Sequence, residues 1–140
     1  EIALAGFDLE VDIPEEPLFC DIDAQQFRRV FENIIANALR HNQEGTILRF
    51  KIAAEGNSIK ITISDNGKGI PPEIADVIFE PFTVGDESRN SKQGTGLGLA
   101  IAKKIVKSHK GYISLSKKPE KGMSTEFIIW MKMGETLSET

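Results

Sequence analysis

Two glycine-containing stretches and one pair of asparagines carry the residue types that could do chemistry in this chain. Residues 65–70 place a carboxylate, an amide and two glycines directly after residues 59–64, which alternate between apolar and polar as a half-buried strand does. A carboxylate at a strand end can accept a hydrogen bond from a bound planar group, and glycines let a ligand approach the backbone. Asp-Asn-Gly is also typical of a plain hairpin turn, so this stretch alone leaves both interpretations open.

The asparagine pair, Asn33 and Asn37, lies one turn apart on the most strongly predicted helix. Asp23 is the predicted N-cap of that helix, with Gln26 completing a capping box. Its apolar stripe consists of Phe27, Val30, Phe31, Ile34, Ile35 and Ala38. Asparagine is a mediocre helix former. The pair therefore indicates either satisfied polar groups near a helix end or amide oxygens that hold a hard cation such as Mg²⁺.

The second glycine cluster, Gly94, Gly96 and Gly98, opens a helix predicted over residues 97–109, with Gly111 as its C′ cap. Free backbone N–H groups at a helix start favour phosphate. The Rossmann spacing fails because Leu99 stands at its third glycine position, and the P-loop and protein-kinase motifs are absent. Residues 83–95 are almost wholly polar and predict a lid, a binding loop or disorder.

The remaining elements are predicted from periodicity and turn signals. Gly56 lies in a predicted hairpin turn, and residues 74–78 suggest one short helix after two prolines. The predicted strands cover residues 7–13, 18–22, 46–54, 59–64, 112–116 and 124–131.

Size and composition favour a single soluble domain, predicted over residues 1–133 with a polar tail at 134–140. The chain has 140 residues, 40% of them hydrophobic and 27% charged. A net charge of −4 argues against a nucleic-acid partner. No apolar run approaches the ~20 residues of a membrane span, and Cys20 is alone, so we expect a reducing, cytoplasmic compartment. A start at Glu1 suggests a piece of a longer protein, whose parent could be membrane-anchored.

Four segments, in this order, resemble the N, G1, F and G2 boxes of sensor histidine kinases. The segments are Asn33-x-x-x-Asn37-Ala38, Asp65-Asn66-Gly67-Lys68-Gly69-Ile70, Phe79-Glu80-Pro81-Phe82 and Gly94-Thr95-Gly96-Leu97-Gly98-Leu99-Ala100-Ile101. The resemblance covers residues 23–131. It implies the Bergerat ATP-binding fold, an α+β sandwich with a mixed, mainly antiparallel five-stranded sheet and about three helices on one face. ATP would lie between the helices and the lid.

The resemblance also implies a role for each matching residue. Asp65 would accept a hydrogen bond from the adenine amino group, and Asn33 and Asn37 would hold Mg²⁺ on the phosphates. Arg40 matches a basic position that reaches the phosphates, and His41 stands where many relatives stack a tyrosine on adenine. The lid cations Arg89 and Lys92 could meet the γ-phosphate, so the implied catalytic set is Asn33, Arg40, Arg89 and Lys92. The other implied nucleotide contacts are Gly67, Gly69, Ile70, Phe82, Gly94, Thr95, Gly96, Leu97, Gly98 and Leu99.

The implied function is that of the catalytic, ATP-binding domain of a histidine kinase. It would donate the γ-phosphoryl group to a histidine on an upstream dimerisation domain, and the full-length kinase would serve a response regulator. ATPase branches of the superfamily carry a glutamate where Asn33 stands, which favours a kinase, and neither His41 nor His109 looks like an acceptor. We expect this piece to be a monomer. The alternatives are a stand-alone serine kinase of the anti-sigma-factor type and a degenerate docking module.

Overall fold

One mixed sheet forms the framework of the structure, a computed structural model that describes residues 6–81 and 97–134. Its strands are β1 (Asp8–Asp12), β2 (Ile47–Glu55), β3 (Ser58–Asp65), β4 (Tyr112–Leu115) and β5 (Thr125–Lys132). The sheet order is β1-β2-β3-β5-β4. The β1–β2 pair is parallel, and the other three pairs are antiparallel. The predicted mixed, mainly antiparallel five-stranded sheet is confirmed.

Three helices cover one face of this sheet. They are α1 (Ala24–His41), α2 (Pro72–Ala75) and α3 (Gly98–Ser108). The apolar residues of β3 and β5 that alternate toward this face pack against the apolar stripes of α1 and α3. The main contributors to this core are Phe27, Val30, Ile34, Ile61, Ile63, Ala102, Val106, Phe127 and Ile129. The helix after the two prolines is a single turn, shorter than predicted, although Ile74 and Ile78 still pack against the core.

The start of α1 lies against the end of α3. Asp23 accepts hydrogen bonds through Oδ1 from the backbone N–H groups of Gln25 and Gln26, which confirms the N-cap. The predicted capping box is wrong in its second half, because the Asp23 backbone N–H donates to His109 Nε2 at 3.0 Å. Nδ1 of His109 lies 2.8 Å from the carbonyl oxygen of Ile105. The imidazole of His109 therefore accepts the hydrogen bond expected to go to Gln26, and this bond connects the start of α1 to the end of α3.

The end of α3 departs from the prediction for a physical reason. Lys110, with φ 64°, takes the left-handed conformation expected of the C′ residue, and its N–H bonds to the carbonyl oxygen of Lys107. Gly111 follows as C″, with its N–H on the carbonyl oxygen of Val106. A Cβ at Gly111 would lie 2.8 Å from the carbonyl oxygen of Trp130. Glycine is needed there for close packing against β5, so its assignment as the C′ cap is wrong.

Residues 18–22 are not a strand in the structure, although their alternation predicted one. Leu18 and Cys20 pack against the main core, which accounts for the apolar alternation. The carbonyl oxygen of Phe19 accepts a hydrogen bond from the backbone N–H of Gly134 at 2.5 Å. This hydrogen bond holds the segment beside the end of β5, but residues 18–22 do not pair with β5 as a strand.

Several predicted features fall outside the described residues. These are Phe82, the loop at residues 83–95 with Arg89 and Lys92, the glycine-cluster residues Gly94, Thr95 and Gly96, and residues 135–140 of the tail. Within the described ranges, no helix combines the length and apolar character that a membrane crossing requires.

Candidate functional site

An open pocket of about 480 Å³ lies between the C-terminal half of α1, the end of β3, α2 and the start of β5. Apolar side chains from α1 and the α2 region form much of its wall, and a few polar groups converge on it, as is typical of small-molecule sites. Its lining residues are Asn37, Ala38, His41, Asn42, Asp65, Lys68, Gly69, Ile70, Pro71, Ile74, Ile78, Ser124 and Thr125.

Asp65 supplies the buried carboxylate of this pocket. It continues the inward alternation of Ile61 and Ile63 on β3, so its side chain points to the buried face and is only 5% exposed. Oδ1 accepts a 2.9 Å hydrogen bond from the backbone N–H of Gly67. Among the described residues, Oδ2 has no hydrogen-bond partner. Burial raises the pKa of Asp65 above its ordinary value, and the Gly67 hydrogen bond offsets part of that rise.

The two glycines after Asp65 are needed for different reasons. Gly69 has φ +79°, a conformation that side chains rarely adopt, and it lines the pocket. Gly67 is not among the described glycines with positive φ. A Cβ at Gly67 would collide with the side-chain amide of Asn42, so glycine makes room for that amide. Sequence reasoning treated both glycines as giving access to a base, and only Gly69 borders the pocket.

The asparagine pair sits farther back along α1. Asn37 is 7% exposed, lines the pocket, and accepts a long hydrogen bond of 3.4 Å from Nη2 of Arg40. Asn33 lies beside the start of α3, since a Cβ at Gly98 would be 3.7 Å from Asn33 Oδ1. Nδ2 of Asn33 is buried and has no hydrogen-bond partner within the described part of the chain. A buried unpaired amide is costly in a folded protein and marks a place where a ligand can bind.

Arg40 is a half-buried cation that forms no ion pair with the residues at 6–81 and 97–134. Its Nε is buried and unpaired, and among the described residues no carboxylate lies within ion-pair distance. Burial lowers the pKa of Arg40 from its ordinary value, because removal from water disfavours the charged form. A guanidinium in this situation gains most from a bound anion, and phosphate is the anion whose geometry it matches best.

The other predicted site residues in the described ranges lie in three places: the pocket wall, the N-terminus of α3 and the main core. His41 and Ile70 line the pocket, whereas Leu97 and Gly98 lie at the N-terminus of α3 next to Asn33. The side chain of Leu99 is 7% exposed and belongs to the main core. Any contact of Leu99 with a ligand would therefore involve its backbone.

Sequence reasoning missed part of the pocket wall. Ser124 and Thr125 enter it from β5, and Thr125 is the register partner of Asp65. Ser124 donates from its backbone N–H to the carbonyl oxygen of Asp65 at 2.8 Å and from Oγ to that of Gly67 at 2.5 Å. Asn42 and Lys68 were also missed. Gly122 indicates a turn before the last strand, but this signal does not show which strand β5 pairs with.

The oxygen ligands that Mg²⁺ prefers are present as two amides, without a carboxylate cluster. No group of three histidine, cysteine or acidic side chains is suited to a metal in the described ranges. The side-chain oxygens of Asn33 and Asn37 are of the ligand type that suits a cation whose remaining ligands are phosphate oxygens and water. The unpaired atom of Asn33 is its donor nitrogen, which suits a phosphate oxygen and not the cation.

The comparisons with known proteins agree with this geometry. The family model described as "Histidine kinase-, DNA gyrase B-, and HSP90-like ATPase" matches residues 22–135. The chain is 39% identical over 110 residues to the probable sensor histidine kinase TcrY of Mycobacterium tuberculosis, with 78% of this chain and 23% of that protein covered. It is 36% identical over 117 residues to the sensor histidine kinase YvrG of Bacillus subtilis, with 84% and 20% covered.

Among solved structures, the mycobacterial sensor histidine kinase MprB superposes with a TM-score of 0.76 at 26% identity. The superposition covers 94% of this chain and 87% of that one. The chain spans less than a quarter of the length of the two curated relatives above.

Proposed function

Because the chain belongs to the histidine kinase-, DNA gyrase B- and HSP90-like ATPase family, an ATP-binding family, we propose that it binds ATP with Mg²⁺ in this pocket and donates the γ-phosphoryl group to a histidine on a separate dimerisation domain. One observation carries the proposal: the 5% exposed carboxylate of Asp65 lies in the wall of an apolar pocket. A buried acceptor that forms no ion pair with any described residue suits a neutral donor such as the adenine amino group.

The base of the nucleotide is assigned to the pocket itself, and the phosphates are assigned to its border at Asn37. Ile70, Ile74 and Ile78 offer apolar surface for the base beside Asp65. Asn37 lines the pocket and bonds to Arg40, and we assign Asn33 and Arg40, which lie outside the pocket lining, to the phosphates.

When bound, Mg²⁺ would neutralise charge on the phosphate oxygens. We assign its protein ligands to the amide oxygens of Asn33 and Asn37, in line with the spacing of the N box. Arg40 would pair with a phosphate oxygen. Phosphoryl transfer needs mainly positioning and charge neutralisation, and a site of amides, a cation and glycine backbone supplies both without a nucleophile.

The acceptor histidine is proposed to lie on another domain. A response regulator would dock to the full-length kinase. His109 has both ring nitrogens engaged, one with Asp23 and one with Ile105, so it serves structure. The relatives named as sensor histidine kinases are much longer than this chain, which supports further domains in proteins of this kind.

The test is a phosphotransfer assay with γ-labelled ATP, Mg²⁺, this chain and the dimerisation domain encoded with it. We expect label on the dimerisation domain that is lost in acid and kept in base, as for phosphohistidine. Acid-stable label on a serine substrate would instead support the stand-alone serine kinase. Absence of any ATP binding would support the degenerate docking module.

A further inference from the structure

Asn42, the residue after His41, connects the end of α1 with the turn that follows Asp65. Asn42 is the C-cap of α1, with an extended backbone at φ −126° and ψ 166°. Its Nδ2 donates to the carbonyl oxygen of Ala38 at 3.0 Å, and its Oδ1 accepts from the backbone N–H of Lys68 at 3.0 Å. These partners also fix the amide orientation, because a flipped amide would put a donor against the Lys68 N–H and an acceptor against the carbonyl.

The amide of Asn42 also occupies the space in which a Cβ at Gly67 would stand. Positive φ does not explain this glycine, since Gly67 lies outside the set of described glycines with that conformation. The requirement for glycine at position 67 therefore comes from Asn42. Across the turn, Ser124 bonds to the carbonyl oxygens of Asp65 and Gly67, so the turn is held from both sides.

We propose that Asn42 is a positioning residue that fixes the Asp65 turn to the end of α1 by interlocking with Gly67. Arg40 and Asn37 lie on the same last turns of α1, and Asp65 begins the turn that Asn42 holds. The contact therefore sets the distance from Asp65, which would meet the base, to Arg40 and Asn37, which would meet the phosphates. This inference rests on the proposed function for its meaning, but the contacts that carry it lie within the chain itself.

The interlock predicts a specific non-additivity in a double-mutant cycle. Asn42→Ala leaves the Lys68 N–H without its acceptor and should weaken ATP binding by about tenfold. Gly67→Ala inserts a methyl group into the amide and should weaken ATP binding at least as much and lower Tm. In Asn42→Ala/Gly67→Ala the amide is gone, so the double variant should bind ATP no more weakly than Asn42→Ala and regain the Tm of that single variant.

Two measurements on the purified chain test this. The first is amide hydrogen exchange at Lys68 without nucleotide, which should be about tenfold faster or more in Asn42→Ala. The second is calorimetry with Mg·ATP on all four members of the cycle, with circular dichroism to confirm folding. Asn57→Ala, at an exposed asparagine in the β2–β3 turn, is the matched control and should leave both readouts unchanged.

The outcomes separate the inference from the proposed function. Unchanged Lys68 exchange and unchanged ATP affinity in Asn42→Ala would overturn the inference, as would losses from the two single variants that multiply in the double variant. If the wild-type chain binds no ATP, the proposed function fails. The exchange rate and the Tm of the double variant still decide the interlock in that case.

Discussion

The backbone N–H of Gly67 donates a 2.9 Å hydrogen bond to the carboxylate of Asp65, which is 5% exposed. That one bond offsets only part of the cost of burial, since the pKa of Asp65 is still raised. Burial therefore makes the ionised form of Asp65 less favourable in the folded chain than in the unfolded chain. A buried carboxylate of this kind destabilises the folded state, and such groups cluster at functional sites.

We expect Asp65→Asn to increase the free energy of unfolding at neutral pH. The raised pKa means that the folded state binds more protons than the unfolded state between the ordinary aspartate pKa and the raised value. Wild-type stability therefore falls as pH rises through that window, and Asp65→Asn lacks this fall. The advantage of the variant should be complete above the raised pKa and should vanish below the ordinary pKa.

Urea unfolding of both proteins across this pH range is the measurement, with Asp12→Asn on the exposed edge strand as the control. A variant that is equally less stable at every pH would show that the carboxylate is needed for the fold itself.

Local signals predicted the elements that carry the site, while long-range contacts were beyond them. The stripe of α1 and its Asp23 cap are contained in one stretch of sequence, and both are confirmed. The alternation that buries Ile61 and Ile63 continues to Asp65, so the inward direction of the carboxylate follows from the strand period.

The remainder of the site depends on which segments meet. Asn42 and Lys68 are 26 residues apart, and no pattern in the sequence around either residue predicts their contact. Thr125 reaches the pocket only because β5 pairs with β3 in a particular register. Residues 18–22 alternate like a strand because Leu18 and Cys20 pack on the core, and periodicity alone does not distinguish the two cases.

Arg40→Met should weaken ATP binding roughly tenfold or more, the range expected for a lost hydrogen bond to a charged group. Adenosine should bind the variant and the wild-type chain equally, because it brings no phosphate to the Arg40 guanidinium, whose Nε has no partner among the described residues. Calorimetry with ATP and adenosine separates the two ligands. An equal loss for both would mean that Arg40 supports the fold of the pocket and does not meet phosphate.

Mg²⁺ binding should require the nucleotide, since the described residues offer two amides and no acidic cluster. Titration of Mg²⁺ alone into the chain should give no heat of binding. Asn33→Ala should bind ATP in EDTA as the wild-type chain does, while the gain in affinity on adding Mg²⁺ should shrink. Asn57→Ala again serves as the control. Tight Mg²⁺ binding without ATP would contradict the assignment of both asparagines.

The chain alone should neither phosphorylate itself nor turn over ATP at a useful rate. Asn33 stands where a water-activating glutamate would be needed, and the ring nitrogens of His109 are engaged by Asp23 and Ile105. Incubation with γ-labelled ATP, followed by gel analysis and a phosphate-release assay, checks both points. Label on His41 or His109, or steady release of phosphate, would show that an acceptor or a base has been overlooked.

The central claim, that Asp65 reads the base of a bound ATP, is tested most directly by calorimetric titration of Mg·ATP into wild-type chain and Asp65→Ala, with Mg·GTP as the second ligand. The account predicts that wild type binds ATP and discriminates strongly against GTP, whose carbonyl oxygen faces the carboxylate where adenine has an amino group. Asp65→Ala should lose most of the ATP affinity, roughly a hundredfold or more. Equal ATP affinity of the two proteins would contradict the account.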